Sequence, residues 1–138
     1  MGRITKQEYE TLASFRYSLR HFLHYSEGAA RAAGLTPQHH QALLAIRGFP
    51  GRDRVTVGEL AERMLIRHHS AVELADRLSK EGLITRQHSA EDRRQVWLSL
   101  TRHGTRALEL LSASHRDELR RTGPRMLRIL KQLSSIDS

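Results

Sequence analysis

The stretch from Thr56 to Leu100 does most to limit what this chain can become. Thr56-Val57-Gly58-Glu59 forms a capping box, in which the threonine hydroxyl and the glutamate three residues later each satisfy a backbone N–H that the first helical turn leaves unpaired. It opens a short helix, Val57 to Met64, with Leu60 and Ala61 turned inward. Leu65-Ile66-Arg67 interrupts the periodicity. A second helix follows from His68 to Glu81, with Ala71, Leu74, Ala75 and Leu78 on its inner stripe, and Gly82 is its expected stop. Leu83 to His88 and Gln95 to Leu100 are then β-type runs. Val96, Leu98 and Leu100 alternate with Gln95, Trp97 and Ser99, as a half-buried strand requires. The charged turn Ser89-Ala90-Glu91-Asp92-Arg93-Arg94 joins the two runs. The pattern predicts a helix-turn-helix carrying a β-hairpin wing with a charged tip.

Helices flank this unit. Residues 5–33 carry Leu12, Phe15, Leu19, Phe22 and Leu23 on one helical face, with Gly34 as the stop. Thr36 is a good N-cap and Pro37 suits the first helical position, where its missing N–H costs nothing. That helix is expected to reach about Arg47 with Leu43, Leu44 and Ile46 inward, before the loop Gly48-Phe49-Pro50-Gly51. Beyond the wing, Thr101 caps a long helix with Ala107, Leu108, Leu111 and Leu119 apolar. Thr122-Gly123-Pro124 is expected to break it, leaving a last helix from about Arg125 to Leu133 with Met126, Ile129, Leu130 and Leu133. The fold class is mostly α with a small β-hairpin wing. It divides into an N-terminal dimerisation helix (1–34), a winged helix-turn-helix lobe (35–101) and C-terminal dimerisation helices (102–138). A lobe of this size cannot cover the apolar stripes of both terminal segments, and their exposure is costly at about 25 cal/mol per Å². A two-fold dimer would cover them and set two recognition helices roughly 34 Å apart; a monomer capped by its own helices is the alternative.

Composition removes other classes. The 138 residues include no cysteine, which excludes disulfides, thiolate nucleophiles and Cys-ligated zinc within this sequence. No apolar run approaches membrane-spanning length, and the start, MGRITKQEYE, lacks an apolar signal core, so a cytoplasmic protein without a membrane partner is expected. The net charge of +8 favours a polyanionic partner. Yet residues 52–94 hold nine basic against eight acidic residues. Any nucleic-acid reading of the middle must therefore rest on which side chains face outward.

The second helix of the pair leaves Arg67, His68, His69, Ser70, Glu73, Asp76, Arg77 and Lys80 on its outer face and N-terminus. A helix fits the DNA major groove with its N-terminal residues at base edges. Ser70 can bond a base edge, Glu73 can accept from cytosine N4, and Arg77 and Lys80 suit phosphates. At the wing tip Arg93 and Arg94 can enter an adjacent narrow minor groove. The competing readings are solvated charges with i,i+4 pairs such as Glu73–Arg77, and a winged helix used for protein interaction, which would need an apolar outer face. An enzyme is not expected. Ser70 follows His69, but sequence neighbours on a helix do not face each other, and there is no carboxylate pair or phosphate loop.

Taken in order, Leu35-Thr36-Pro37-Gln38, Val57-Gly58-Glu59-Leu60-Ala61, Asp76-Arg77-Leu78, Gly82-Leu83-Ile84, Asp92-Arg93-Arg94 and Leu100-Thr101-Arg102-His103-Gly104 resemble the MarR family of bacterial transcription regulators. The resemblance runs from about Leu35 to Gly104, and the flanking helices match in pattern. It implies a homodimer with interlocked terminal helices, two lobes on palindromic double-stranded DNA, and a small anionic or phenolic effector that weakens binding, most often as a repressor. It also implies that Asp92 orients an arginine, that Arg94 approaches DNA, and that Arg86 contacts the backbone. The sequence departs from the family at Arg67, often Ser there, at the His68-His69-Ser70 start of the recognition helix, and at Glu73, often basic there.

Nine histidines are many for this length. His21 and His24 share a helical face, and His40 stands where the resembling family often has an aromatic residue near its ligand pocket. Three readings stay open: surface or capping histidines, an effector pocket using His21, His24 and His40, and a zinc-type site in a metal-responsive regulator of the same fold. The i,i+3 spacing of His21 and His24 has no adjacent carboxylate, so no metal ligands and no cofactor are assigned.

Overall fold

The computed structural model describes residues 2–135 and contains five helices and three strands: α1 (Lys6–Ala32), α2 (Pro37–Arg47), β1 (Arg54–Thr56), α3 (Val57–Met64), α4 (His68–Lys80), β2 (Ile84–His88), β3 (Val96–Leu100) and α5 (Arg102–Ser135). The contacts divide the chain into two units. One is Ala30–Leu111; the other joins the first 29 residues to those from Ser112 onward.

The Ala30–Leu111 unit is a winged helix-turn-helix. Its start follows the capping chemistry: Thr36 Oγ1 accepts from the His39 N–H at 3.0 Å and Pro37 begins α2. Thr56 Oγ1 accepts from Glu59 N at 3.2 Å, while Glu59 Oε1 accepts from Thr56 N at 2.9 Å, completing the capping box of α3. Leu43, Ile46, Leu60, Leu74, Leu78 and Leu98 are fully buried and form the core. Leu44 was expected among them, but it faces outward at 49% exposure. At 100° per residue it lies about 160° around the helix from both Ala42 and Ile46, which are fully buried, so it falls on the side away from them.

The sheet is antiparallel in the order β1-β3-β2, with Val55 opposite Leu98 and Ile84 opposite Leu100. The hairpin is as expected; β1 is an addition. Only Val55 of its three residues is buried, and three residues are too few for an alternation to register as a strand signal.

The other unit contains most of α1 and the C-terminal part of α5. His115 Nε2 lies 2.7 Å from Ser26 Oγ, Phe22 and Tyr25 meet the His115 ring edge-on, and the Tyr25 hydroxyl bonds Ser114. The expected break at Thr122-Gly123-Pro124 does not occur; α5 is one helix with Pro124 inside it. Proline's fixed φ is compatible with helical backbone, and the bond it forfeits belongs to the carbonyl of Arg120, an exposed residue that water can reach. The C-terminal segment is therefore one dimerisation-helix candidate rather than two. Among the described residues, no helix is long and apolar enough to cross a membrane.

Candidate nucleic-acid interface

The turn between α3 and α4 sets the presentation of α4. Leu65 takes the left-handed conformation (φ 56°) and is 91% exposed, so the chain reverses sharply without burying this leucine. Arg67 is the N-cap of α4 and supplies no side-chain cap. Ala71, Leu74, Ala75 and Leu78 are buried. The remaining face presents Arg67, His68, His69, Glu73 and Arg77 to solvent, with Ser70 half-buried. This is the division that the periodicity of the helix dictates.

The wing tip is built by local hydrogen bonds. Ser89 Oγ accepts from the backbone N–H groups of Glu91 and Asp92 at 3.2 and 3.4 Å. Asp92 Oδ1 accepts from Arg94 N at 3.0 Å and lies 3.5 Å from Arg94 Nε. Asp92 thus holds both the backbone and the guanidinium of Arg94, while the Arg94 side chain stays almost wholly in solvent. His88 Nδ1 donates to the Arg93 carbonyl at 3.0 Å, and Arg93 is exposed.

A groove of about 490 Å³ joins α4 to the wing. Thr56, Val57 and Gly58 line one end, His68 and Val72 come from α4, and Arg86, Asp92 and Arg94 come from the wing. Arg86 is not a free cation: its guanidinium bonds the Asp76 carboxylate and ties β2 to α4. Sequence reasoning placed both residues on the outer surface and missed their pairing, because the wing's fold-back onto α4 leaves no periodic signal.

A second arrangement also escaped the sequence. Arg54, Trp97, Arg52, Phe49 and Arg63 stack alternately, with guanidinium-to-ring distances of 4.1, 5.1, 4.3 and 4.9 Å in that order. Arg52 also donates Nη1 to Glu59 Oε1 at 2.8 Å and Nη2 to Oε2. That bidentate bond, aided by the capping-box contacts with Thr56, holds the Glu59 carboxyl below its ordinary 4.5. The capping box therefore joins the loop before β1, the edge strand and α3.

The histidines separate. His21 and His24 line a groove of about 520 Å³ with Tyr17, Arg20, Leu23 and Glu27, and His21 Nε2 lies 3.0 Å from the Tyr17 hydroxyl. His40 is buried in the other unit. Among the described residues, no group of three or more His, Asp or Glu side chains is placed to hold a metal ion.

Comparison with known proteins places this geometry in context. Residues 33–95 match the family model described as "MarR family". Over 71 residues the chain is 37% identical to the HTH-type transcriptional repressor MdtR of Bacillus subtilis, an alignment covering 51% of this chain and 44% of that protein. Over 93 residues it is 29% identical to the HTH-type transcriptional repressor YetL of the same organism, covering 67% and 54%. The chain thus spans about half the length of the curated relatives it matches. The crystal structure of AbsC, a MarR family transcriptional regulator from Streptomyces coelicolor, has the same fold, with a TM-score of 0.73 at 21% identity over 99% of this chain and 91% of that one.

Proposed function

We propose that this chain, which matches the MarR family over residues 33–95, is a transcription regulator of that kind rather than an enzyme, binds a pseudo-palindromic operator as a homodimer and acts as a ligand-responsive repressor. One observation carries the reading. The polar face of α4 and an arginine held by Asp92 at the wing tip border the same groove, at a spacing set by buried leucines and by the Arg86–Asp76 bond. In this reading α4 enters the major groove. His68, His69, Ser70 and Glu73 meet base edges, and Arg67 and Arg77 meet phosphates. Arg94, with Arg93 beside it, reaches the adjacent minor groove. Arg86 acts chiefly by fixing the wing against α4.

The repressor names of MdtR and YetL support the regulatory direction. The exposed apolar side chains of α1 and α5 support the homodimer. The groove of Tyr17, His21 and His24 is the candidate effector site, where ring faces and imidazole donors suit a small aromatic or anionic molecule; His40, in the other unit, does not line it.

A gel-shift with the DNA upstream of the chain's own coding region tests the proposal. The expected result is nanomolar-range binding that weakens steeply with salt; equal affinity for every duplex would sink it. Arg94→Ala should weaken binding to all sequences and reduce the salt slope by about 1, whereas Ser70→Ala should change preference at particular base pairs.

A further inference from the structure

Helix α4 is held very differently at its two ends. Its N-terminus, which carries the base-reading residues of the proposed complex, has no side-chain cap. Its C-terminus is fastened from two sides. From α2, His39 Nδ1 lies 3.1 Å from Oε2 of Glu81, the C-cap of α4, and the imidazole is only 7% exposed. From the start of α5, Thr101 Oγ1 donates to the Gly82 carbonyl at 2.6 Å, and Thr101 N donates to the Leu83 carbonyl at 3.0 Å. The same hydroxyl accepts from Gly104 N at 3.0 Å, so one side chain closes the end of α4 and the first turn of α5. Gly104 is required at this contact, since a Cβ there would run into the Leu83 carbonyl oxygen. Gly82 turns the chain with φ +72°, a conformation that favours glycine.

Burying an imidazole against a carboxylate is a poor way to gain stability, because desolvation offsets much of the attraction. It is a good way to fix a direction. The apolar stripe sets which face of α4 is buried, but apolar contact is non-directional. The hydrogen bonds at the C-terminus are directional. Thirteen residues at about 1.5 Å each make α4 about 20 Å long. A tilt of ~10° about the fastened end moves the other end by ~3 Å, more than a base-edge hydrogen bond tolerates.

We infer that His39, Glu81, Thr101 and Gly104 form a two-sided clamp that sets the tilt of α4, making them positioning residues for sequence recognition although they lie at the far end from the proposed base contacts. This inference rests on the DNA-binding reading above. It assigns specificity to side chains that need not touch DNA.

Thr101→Val keeps the shape of the side chain and removes the hydroxyl; Thr101→Ser restores the hydroxyl; Glu81→Ala removes the half-exposed partner of His39. In the 138-residue chain, Thr101→Val and Glu81→Ala should each lower operator affinity about tenfold, leave random-duplex affinity within about twofold, and keep helix content. Thr101→Ser should return the operator affinity. An unchanged operator-to-random ratio in folded Thr101→Val and Glu81→Ala overturns the clamp. A second measurement is independent of DNA. Because the chain has no cysteine, His69→Cys and Arg54→Cys can carry a spin-label pair. The distance distribution should widen in Thr101→Val and narrow again in Thr101→Ser. If the parent chain failed to distinguish operator from random DNA, the DNA-binding reading would fall. The label distances alone would then decide the clamp, and an unchanged distribution would overturn it.

Discussion

Leu43, Leu60, Leu74, Leu78 and Leu98 of the Ala30–Leu111 lobe are fully buried, whereas Leu12, Leu23, Leu127 and Leu130 in the terminal unit keep 45, 44, 54 and 45% of their surface in solvent. Among the described residues, every buried apolar side chain except Ile129 belongs to the lobe. Polar groups follow the same division. The lobe's helix ends are closed by Thr36, Thr56 with Glu59, and Thr101. Polar contacts such as His115–Ser26 and Tyr25–Ser114 take a prominent place in the interior of the terminal unit. The lobe is a finished core within one chain. The terminal unit has amphipathic helices of the right length and an apolar surface left over, which fits the proposed dimer.

The strongest way to break this comparison is to charge the leftover surface. Leu127→Glu with Leu130→Glu should halve the mass measured by light scattering, from twice 15.8 kDa to 15.8 kDa. Operator affinity should fall roughly 100-fold or more, since a lone lobe loses the effective concentration that the second one gains from tethering. The far-UV circular dichroism signal of the lobe helices should persist. A parent chain that is already monomeric at micromolar concentration would remove the dimer, and the terminal apolar surface would need another explanation.

A paired truncation sharpens the contrast. Leu43→Ala should destabilise the lobe by about 3 kcal/mol in urea unfolding, through lost transfer energy and the cavity left behind. Leu12→Ala, made in the monomeric double variant so that no partner surface intervenes, should change stability by less than about 0.5 kcal/mol. Equal costs would mean that the terminal unit has a core of its own.

The lobe was also the more legible region. Its helices carry complete local signals: a capping residue, an inner stripe at 3.6-residue period and a stop. That is why α2, α3 and α4 follow the sequence within a residue or so. Local signals fail where a neighbour decides. Val55 belongs to a strand only because β3 is beside it, with Leu98 opposite. Leu44 has the composition of a core residue and the wrong angle. Pro124 reads as a breaker by propensity, at roughly 3 kcal/mol in a helix interior, yet the 34-residue α5 runs through it. In the candidate site, the outward face of α4 and the Asp92–Arg94 turn were readable because each lies within one element. The Arg86–Asp76 and His39–Glu81 pairs join residues ten and forty-two positions apart and were not.

A smaller effect than the Leu43 truncation is expected at the junction where the lobe's local and long-range order meet. Thr56→Ala should cost about 1 kcal/mol, the usual value of an N-cap. Glu59 adds a pH dependence, because Arg52 first and then the Thr56 contacts hold its carboxyl below 4.5 in the folded chain. A carboxyl whose folded-state value is depressed contributes stability that is complete above its unfolded-state value and is lost as pH falls through the folded one. The parent lobe should therefore lose this contribution as pH drops below about 4.5, the Glu59→Gln lobe should start lower, and the gap between them should close across that acid range. Urea unfolding of both between pH 7 and pH 3 measures it. A gap that stays constant would mean that Glu59 acts only through the cap geometry that glutamine shares. The Arg52 stack on Phe49 and Trp97 would then hold β1 against α3 without help from the carboxylate's charge.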